Sequence, residues 1–136
     1  IMASVNGGLK YALNNNWLSE FNLARYNYNA KMSYESYYMN YGIATLTYLT
    51  DAGFIAAFGS LTQNQYSAAD PISSLQRKIE TSTYGLSYTF ALPFITRPTP
   101  KDWTLNLSYQ FGQTYSNVQT YAREFRQYMA ILAKSF

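Results

Sequence analysis

The sequence predicts an all-β protein, an antiparallel up-and-down sheet of about seven strands. Strict alternation is the first reason: Trp103, Leu105, Leu107, Tyr109 and Phe111 share one parity, while Thr104, Asn106, Ser108, Gln110 and Gly112 share the other. Successive strand residues point to opposite sides, so this pattern gives one apolar and one polar face. Composition is the second reason, with 15 Tyr, 8 Phe and 2 Trp against only 12% charged residues in a chain of 136. Turn chemistry is the third, because Asn, Asp, Gly and Pro fall in the gaps between alternating segments.

Taken in order, the first segment runs over about Ser4–Leu13 and the second over Trp17–Asn29, joined by the triplet Asn14-Asn15-Asn16. The third spans about Ser36–Leu49 and offers no internal turn. Thr50-Asp51-Ala52-Gly53 turns it into the fourth, Phe54–Tyr66. Tyr84–Phe94, Trp103–Tyr115 and Thr120–Phe136 complete the set. One gap, residues 67–83, is long and reads as a loop, either containing a short helix or irregular with incidental spacing. Asp70 stands as a cap with Pro71 at the first helical position, and Ile72, Leu75 and Ile79 share one helical face. No repeat or linker divides the chain, so residues 1–136 form a single domain or a segment of one.

The segments can be put in register. Leu13 opposite Trp17 places Leu9 against Phe21, Gly7 against Leu23, and Lys10 against Glu20. Lys10 and Glu20 then form a favourable cross-strand pair on the polar face. On the fifth and sixth segments, Tyr84, Tyr88, Phe90 and Phe94 join Trp103, Tyr109 and Phe111 on the apolar face, as Trp17 and Phe21 do on the second. The opposite face there is Gly, Ser, Thr, Ala, Asn and Gln, with few charges. A soluble sheet would carry Lys and Glu on its wet face. Small polar residues suit a narrow hydrated interior, and an apolar face with aromatics toward its ends suits a lipid-facing band. Strands near ten residues match the about 9–11 that cross a bilayer obliquely. The prediction is therefore a transmembrane β-barrel, closed because an open edge cannot face hydrocarbon.

The C-terminus carries a resemblance. Tyr128, Ala130, Leu132 and Phe136 alternate up to a terminal aromatic. This resembles the C-terminal assembly signal of Gram-negative outer-membrane β-barrel proteins, from which Lys134 departs. The resemblance implies a bacterial outer-membrane location, contact with outer-membrane lipid and with the barrel assembly machinery, and a periplasmic C-terminus. Counting back, Ser116-Asn117, residues 67–83 and Ala30–Glu35 fall outside, whereas Ile95–Asp102, Thr50–Gly53 and Asn14–Asn16 are periplasmic. Seven strands then put the start of the first outside, against the even count of such barrels. The expectation is the C-terminal part of a larger or multi-chain barrel, completed by N-terminal strands or a partner chain.

Chemistry is sparse. Without His, no Ser–His or Asp–His catalytic arrangement can be built, and without Cys there is no disulfide or thiolate site. The carboxylates are scattered and no phosphate-cradling glycine motif occurs, so no enzyme, cofactor or metal is expected. The net charge is +3 with pI near 9.1, but the basic residues form no cluster, which argues against nucleic-acid binding. The function expected is a channel, porin-like or secretion-type. The alternative is a membrane anchor, adhesin or partner-binding scaffold.

Overall fold

The computed structural model describes residues 2–92 and 103–134. They form one antiparallel sheet of 7 strands in the order β1-β2-β3-β4-β5-β6-β7, each strand bonded to its neighbours in sequence. The strands are β1 Met2–Ala12, β2 Trp17–Tyr28, β3 Tyr37–Thr50, β4 Gly53–Ala69, β5 Gln76–Ala91, β6 Trp103–Ser116 and β7 Arg123–Lys134. The sheet is open: among the described residues β1 pairs only with β2, and β7 only with β6.

The register expected for the first hairpin is the register found, with Gly7 opposite Leu23, Leu9 opposite Phe21 and Lys10 opposite Glu20. Its turn is held by Asn14, whose Oδ1 accepts the N–H groups of Asn16 at 2.9 Å and Trp17 at 3.0 Å. The side-chain carbonyl thus replaces the backbone acceptor a tight turn would use. Asn16 ties this turn to the neighbouring one, donating from Nδ2 to the Leu49 carbonyl at 3.2 Å and accepting the Leu49 N–H at 2.7 Å. At the other end, Asn117 accepts the Lys78 N–H at 2.8 Å and donates to the Gln76 carbonyl at 2.8 Å. Short 3₁₀ turns at Ser33–Glu35 and Gln119–Tyr121 shape the β2–β3 and β6–β7 loops.

The long loop and helix expected over residues 67–83 do not form. Strands β4 and β5 run through most of that stretch and leave only a turn, Asp70–Leu75. Asp70 does accept the N–H groups of Ile72 and Ser73, both at 3.0 Å, as a helix cap would. Ser74 then takes φ 57°, which reverses the chain instead of winding it. An amphipathic helix needs a surface for its apolar stripe. Ile72 is 94% exposed, so none is present. Residues 78–83 pair in the ladder with β4, with Ile79 opposite Asn64 and Thr83 opposite Ser60.

The two faces differ in burial. Ala56, Thr114 and Gly112 are buried on the face that carries Lys10 and Ser87, although no second layer covers it. Side chains within the face itself cover them, as Phe125 covers Gly112, and we call this the inner face. Large side chains pack within it where a glycine leaves room. Phe58 lies over Gly85, and Phe125 over Gly112, each directly across the ladder. A Cβ on Gly85 would enter the Phe58 ring and stand 3.0 Å from the Tyr109 carbonyl oxygen. On the opposite face, a Cβ on Gly59 meets Tyr84 only at ordinary contact, 3.4 Å. Gly85→Ala is accordingly expected to destabilise by about 1–3 kcal/mol through overpacking, with Phe58→Leu restoring part of the loss and Gly59→Ala close to neutral. Denaturant unfolding of the three variants in detergent checks this ordering.

Candidate functional site

The outer face carries a continuous apolar band. Trp17, Phe21 and Leu23 on β2 share it with Ile55 and Leu61, then Tyr84, Leu86, Tyr88 and Phe90, then Trp103, Leu107, Tyr109 and Phe111. None of the described residues covers it: Leu86, Tyr84, Leu23 and Leu107 are all exposed, and no large side chain is fully buried anywhere among the described residues. The expected set Trp17, Phe21, Tyr84, Tyr88, Phe90, Trp103, Tyr109 and Phe111 lies on this one face, while Phe94 falls outside the described residues. Rings meet toward its lower margin, Trp17 with Tyr48 at 4.8 Å and Tyr88 with Phe90 at 4.8 Å between centroids.

The band is oblique to the hydrogen-bonded rows. Its upper edge passes between Arg25 and Leu23 on β2, Gln63 and Leu61 on β4, Gln113 and Phe111 on β6, and Arg126 and Tyr128 on β7. The row of Leu23 reads Gly42, Leu61, Ser82, Gln113 and Glu124. The edge therefore drops by four residues, from the row of Leu23 to that of Tyr128. At about 3.3 Å per residue and about 4.8 Å per strand, this is a slope of roughly 30°. A flat annulus crosses tilted strands in this way.

The C-terminal residues Tyr128, Ala130 and Leu132 lie on the same outer face, opposite Tyr109, Leu107 and Leu105; Phe136 falls outside the described residues. Lys134 shares their parity but does not break the band, because its Nζ sits 5.7 Å from the centre of the Trp103 ring. An ammonium over an indole face at the band's lower margin keeps a charge beside an aromatic. Glu124 and Arg126 sit above the upper edge, Glu124 accepting from Gln113 at 2.7 Å and Arg126 lying over Phe111 at 5.9 Å.

The inner face over β5, β6 and β7 is a surface of hydroxyls and amides. Thr81 and Thr114 share a hydrogen bond at 3.0 Å, Asn106 donates to Thr89 at 2.6 Å, and Gln110 to Gln127 at 2.6 Å. The expected pair is present at its edge: Lys10 Nζ stands 3.9 Å from Glu20 Oε2, both side chains exposed, with Asn22 donating to Glu20 at 3.0 Å. An exposed pair contributes only about 0–1 kcal/mol, so its effect is on local potential more than on stability. The face is not uniformly small and polar, as β5 and β6 alone suggested. Ile43, Leu49 and Phe54 join Phe58 there, and Met129 and Ile131 line it on β7.

Sequence reasoning missed a cluster at the loop end. Arg77 places its guanidinium 3.6 Å from the centre of the Tyr66 ring and 4.5 Å from that of Tyr121. Asp70 faces it at 3.6 Å and accepts the Tyr121 hydroxyl at 3.1 Å. Tyr37 continues the row, with its ring 5.2 Å from both Tyr66 and Tyr28. These residues come from separate strands and loops, so no local motif announces them; the only signal was Asp70 itself, which reads as a helix cap. Arg77 lies over both the Tyr66 and Tyr121 rings and Asp70 holds the Tyr121 hydroxyl, so the cluster ties the β4–β5 turn to the β6–β7 loop. Among the described residues no group of carboxylates is placed to hold a metal ion. The chain matches no family model, no curated protein and no solved structure.

The Ser73 N–H, opposed by burial and reinforced by the Ile72 N–H and the Tyr121 hydroxyl, holds the Asp70 carboxyl below its ordinary range. A carboxyl depressed on folding contributes stability that is complete above its unfolded value, about 4, and is lost as pH falls through the folded value. Unfolding of the chain in detergent between pH 6 and 2.5 should show this loss below about pH 4, and Asp70→Asn should remove that part of the pH dependence.

Proposed function

We propose that this sheet is a membrane-spanning sector of a bacterial outer-membrane β-barrel and that the barrel acts as a channel. The observation that carries this reading is the apolar band, continuous over the outer face, with Ala56 and Leu92 the buried apolar residues among those described. Soluble monomers rarely expose contiguous apolar patches beyond a few hundred Å², whereas hydrocarbon accepts such a face at no cost. The oblique edge supports the same reading, since barrel strands tilt by about 35–45°. Trp17, Tyr88, Phe90, Trp103 and Lys134 then mark the periplasmic margin, and the polar strand extensions with Arg25, Gln63, Glu80 and Arg126 project outside. Tyr128, Ala130, Leu132 and Phe136 serve as the assembly signal for the barrel-inserting machinery. The solute path follows the hydroxyl and amide surface, with Lys10 and Glu20 biasing which charge passes.

A second reading, a barrel that anchors or binds a partner without transport, is favoured by the inner-face side chains Phe58, Phe125 and Ile43, which occupy space a pore would leave to water. Width separates the two, since an eight-stranded barrel is filled by its own side chains and wider ones enclose water. Cysteine substitution tests the membrane reading. Ser87→Cys should react with a charged thiol reagent in vesicles and Leu86→Cys should not; equal rates would overturn it. Conductance across a planar bilayer tests the channel, and Glu20→Lys should shift its selectivity toward anions. A barrel that inserts and passes no current is the anchor.

A further inference from the structure

The inner face of β4 to β7 is built in rungs, and one rung is lower than its neighbours. Ser87 stands opposite Ser108, and Ser108 opposite Met129. On one side of this rung Gln110 donates to Gln127 at 2.6 Å, and Phe58 lies over Gly85. On the other side Asn106 donates to Thr89 at 2.6 Å. The two short serines therefore floor a depression of about 270 Å³, walled by the Phe58 ring, the Gln110–Gln127 pair, Asn106 and Met129. Phe58, Ser87, Asn106, Ser108 and Gln110 are half-buried there.

The chemistry of the lining narrows what can fill it. Among the described residues no charged side chain lines the depression, so nothing there offsets the desolvation of an ionic ligand. Its polar groups offer both senses of hydrogen bond. Each serine hydroxyl donates and accepts, and each amide keeps a carbonyl or an N–H beyond the bond it already makes. The bonds from Asn106 to Thr89 and from Gln110 to Gln127 also fix the amide planes, so these groups are oriented before a ligand arrives. A purely apolar ligand would leave them unsatisfied. Phe58 supplies one apolar wall. The complement of this lining is an uncharged molecule with an apolar face and a rim of hydroxyls, which describes a sugar ring. Drug-sized ligands occupy sites of about 300–1,000 Å³, so a depression of about 270 Å³ takes a single ring.

We infer that this depression is a binding subsite for one ring of a neutral saccharide, which lays its C–H face on Phe58 and hydrogen-bonds through its hydroxyls to Ser87, Ser108, Asn106 and the Gln110–Gln127 pair. The inference rests on the membrane reading above, which turns the inner face to water, and it names the solute class that the polar track suits. A single ring between half-exposed walls is held weakly. A conducting path requires this, since a solute has to leave the site as well as enter it.

The test is saturation-transfer NMR on the full-length protein in dodecylphosphocholine, a detergent without a sugar headgroup. Glucose, galactose and maltose are the probes, and glucuronate is the charged control. Transfer is expected to the ring C–H protons of a neutral sugar and several-fold less to glucuronate. No transfer to any of the three neutral sugars, or equal transfer to glucuronate, overturns the inference. Ser108→Leu fills the floor and should abolish the signal. Phe58→Leu removes the ring face and should weaken binding roughly two- to tenfold, while Phe58→Tyr, which keeps the ring, should retain it. Binding unchanged in both Ser108→Leu and Phe58→Leu overturns the site even where a sugar binds. Binding is read in detergent and topology by thiol labelling in vesicles, so either reading can fail alone. A protected Leu86→Cys without sugar binding sinks the subsite and leaves the membrane reading intact. Sugar binding lost in Ser108→Leu, with Ser87→Cys and Leu86→Cys labelled at equal rates, does the reverse.

Discussion

A single antiparallel ladder carries this structure, and nothing in the fold covers its apolar face. Most sheets gain their stability by laying one face on a second layer. Here the described residues form no second layer, and Ala56 and Leu92 are the buried apolar residues among them. Backbone pairing and cross-strand contacts therefore have to be supplemented by whatever surrounds the band. In water that face would drive association. In hydrocarbon it is solvated, and the cost moves to the two open edges, whose unpaired backbone groups hydrocarbon cannot satisfy. On the membrane reading, the uncovered band and the open edges are thus one argument seen from two sides.

The ends of the sheet solve a different problem. Loops exposed to water must be held in shape without a core beneath them, and polar side chains do this work. At one end Asn14 and Asn16 close two turns onto each other. At the other, Asp70, Arg77, Tyr66 and Tyr121 bind a turn to a loop, and Asn117 stitches β5 to the same loop. The cation–π contacts there contribute roughly 0.5–2 kcal/mol each depending on how far they are desolvated. This makes the cluster a structural clasp between the β4–β5 turn and the β6–β7 loop.

The inner face holds the tension between the two functional readings. Hydroxyl and amide rungs on β5, β6 and β7 form a polar track. Phe58 and Phe125 reach over the glycines on neighbouring strands and narrow the space above that track. On the proposed barrel reading, the number of strands in the ring sets its curvature and so the space left for water.

The sequence by itself determined seven antiparallel strands in up-and-down order and the faces of β1, β2, β5 and β6, while the faces of β3, β4 and β7 and the outer ends of β4 and β5 were decided only by the ladder. Period-two alternation is a local property, and a one-residue slip would expose every apolar side chain on the wrong side. That is why the register of the first hairpin and the shared face of Trp17, Tyr84 and Trp103 were legible in advance. The turn at Asp70 was not, because an aspartate followed by proline satisfies the same N–H groups in a helix cap and in a hairpin turn. Only the ladder between β4 and β5, through pairs such as Asn64 with Ile79, decides between them. The Asp70–Arg77–Tyr121 clasp, the glycine covers and the oblique edge of the band are likewise tertiary. Each joins residues far apart in the chain, and long-range proximity leaves no local pattern to read.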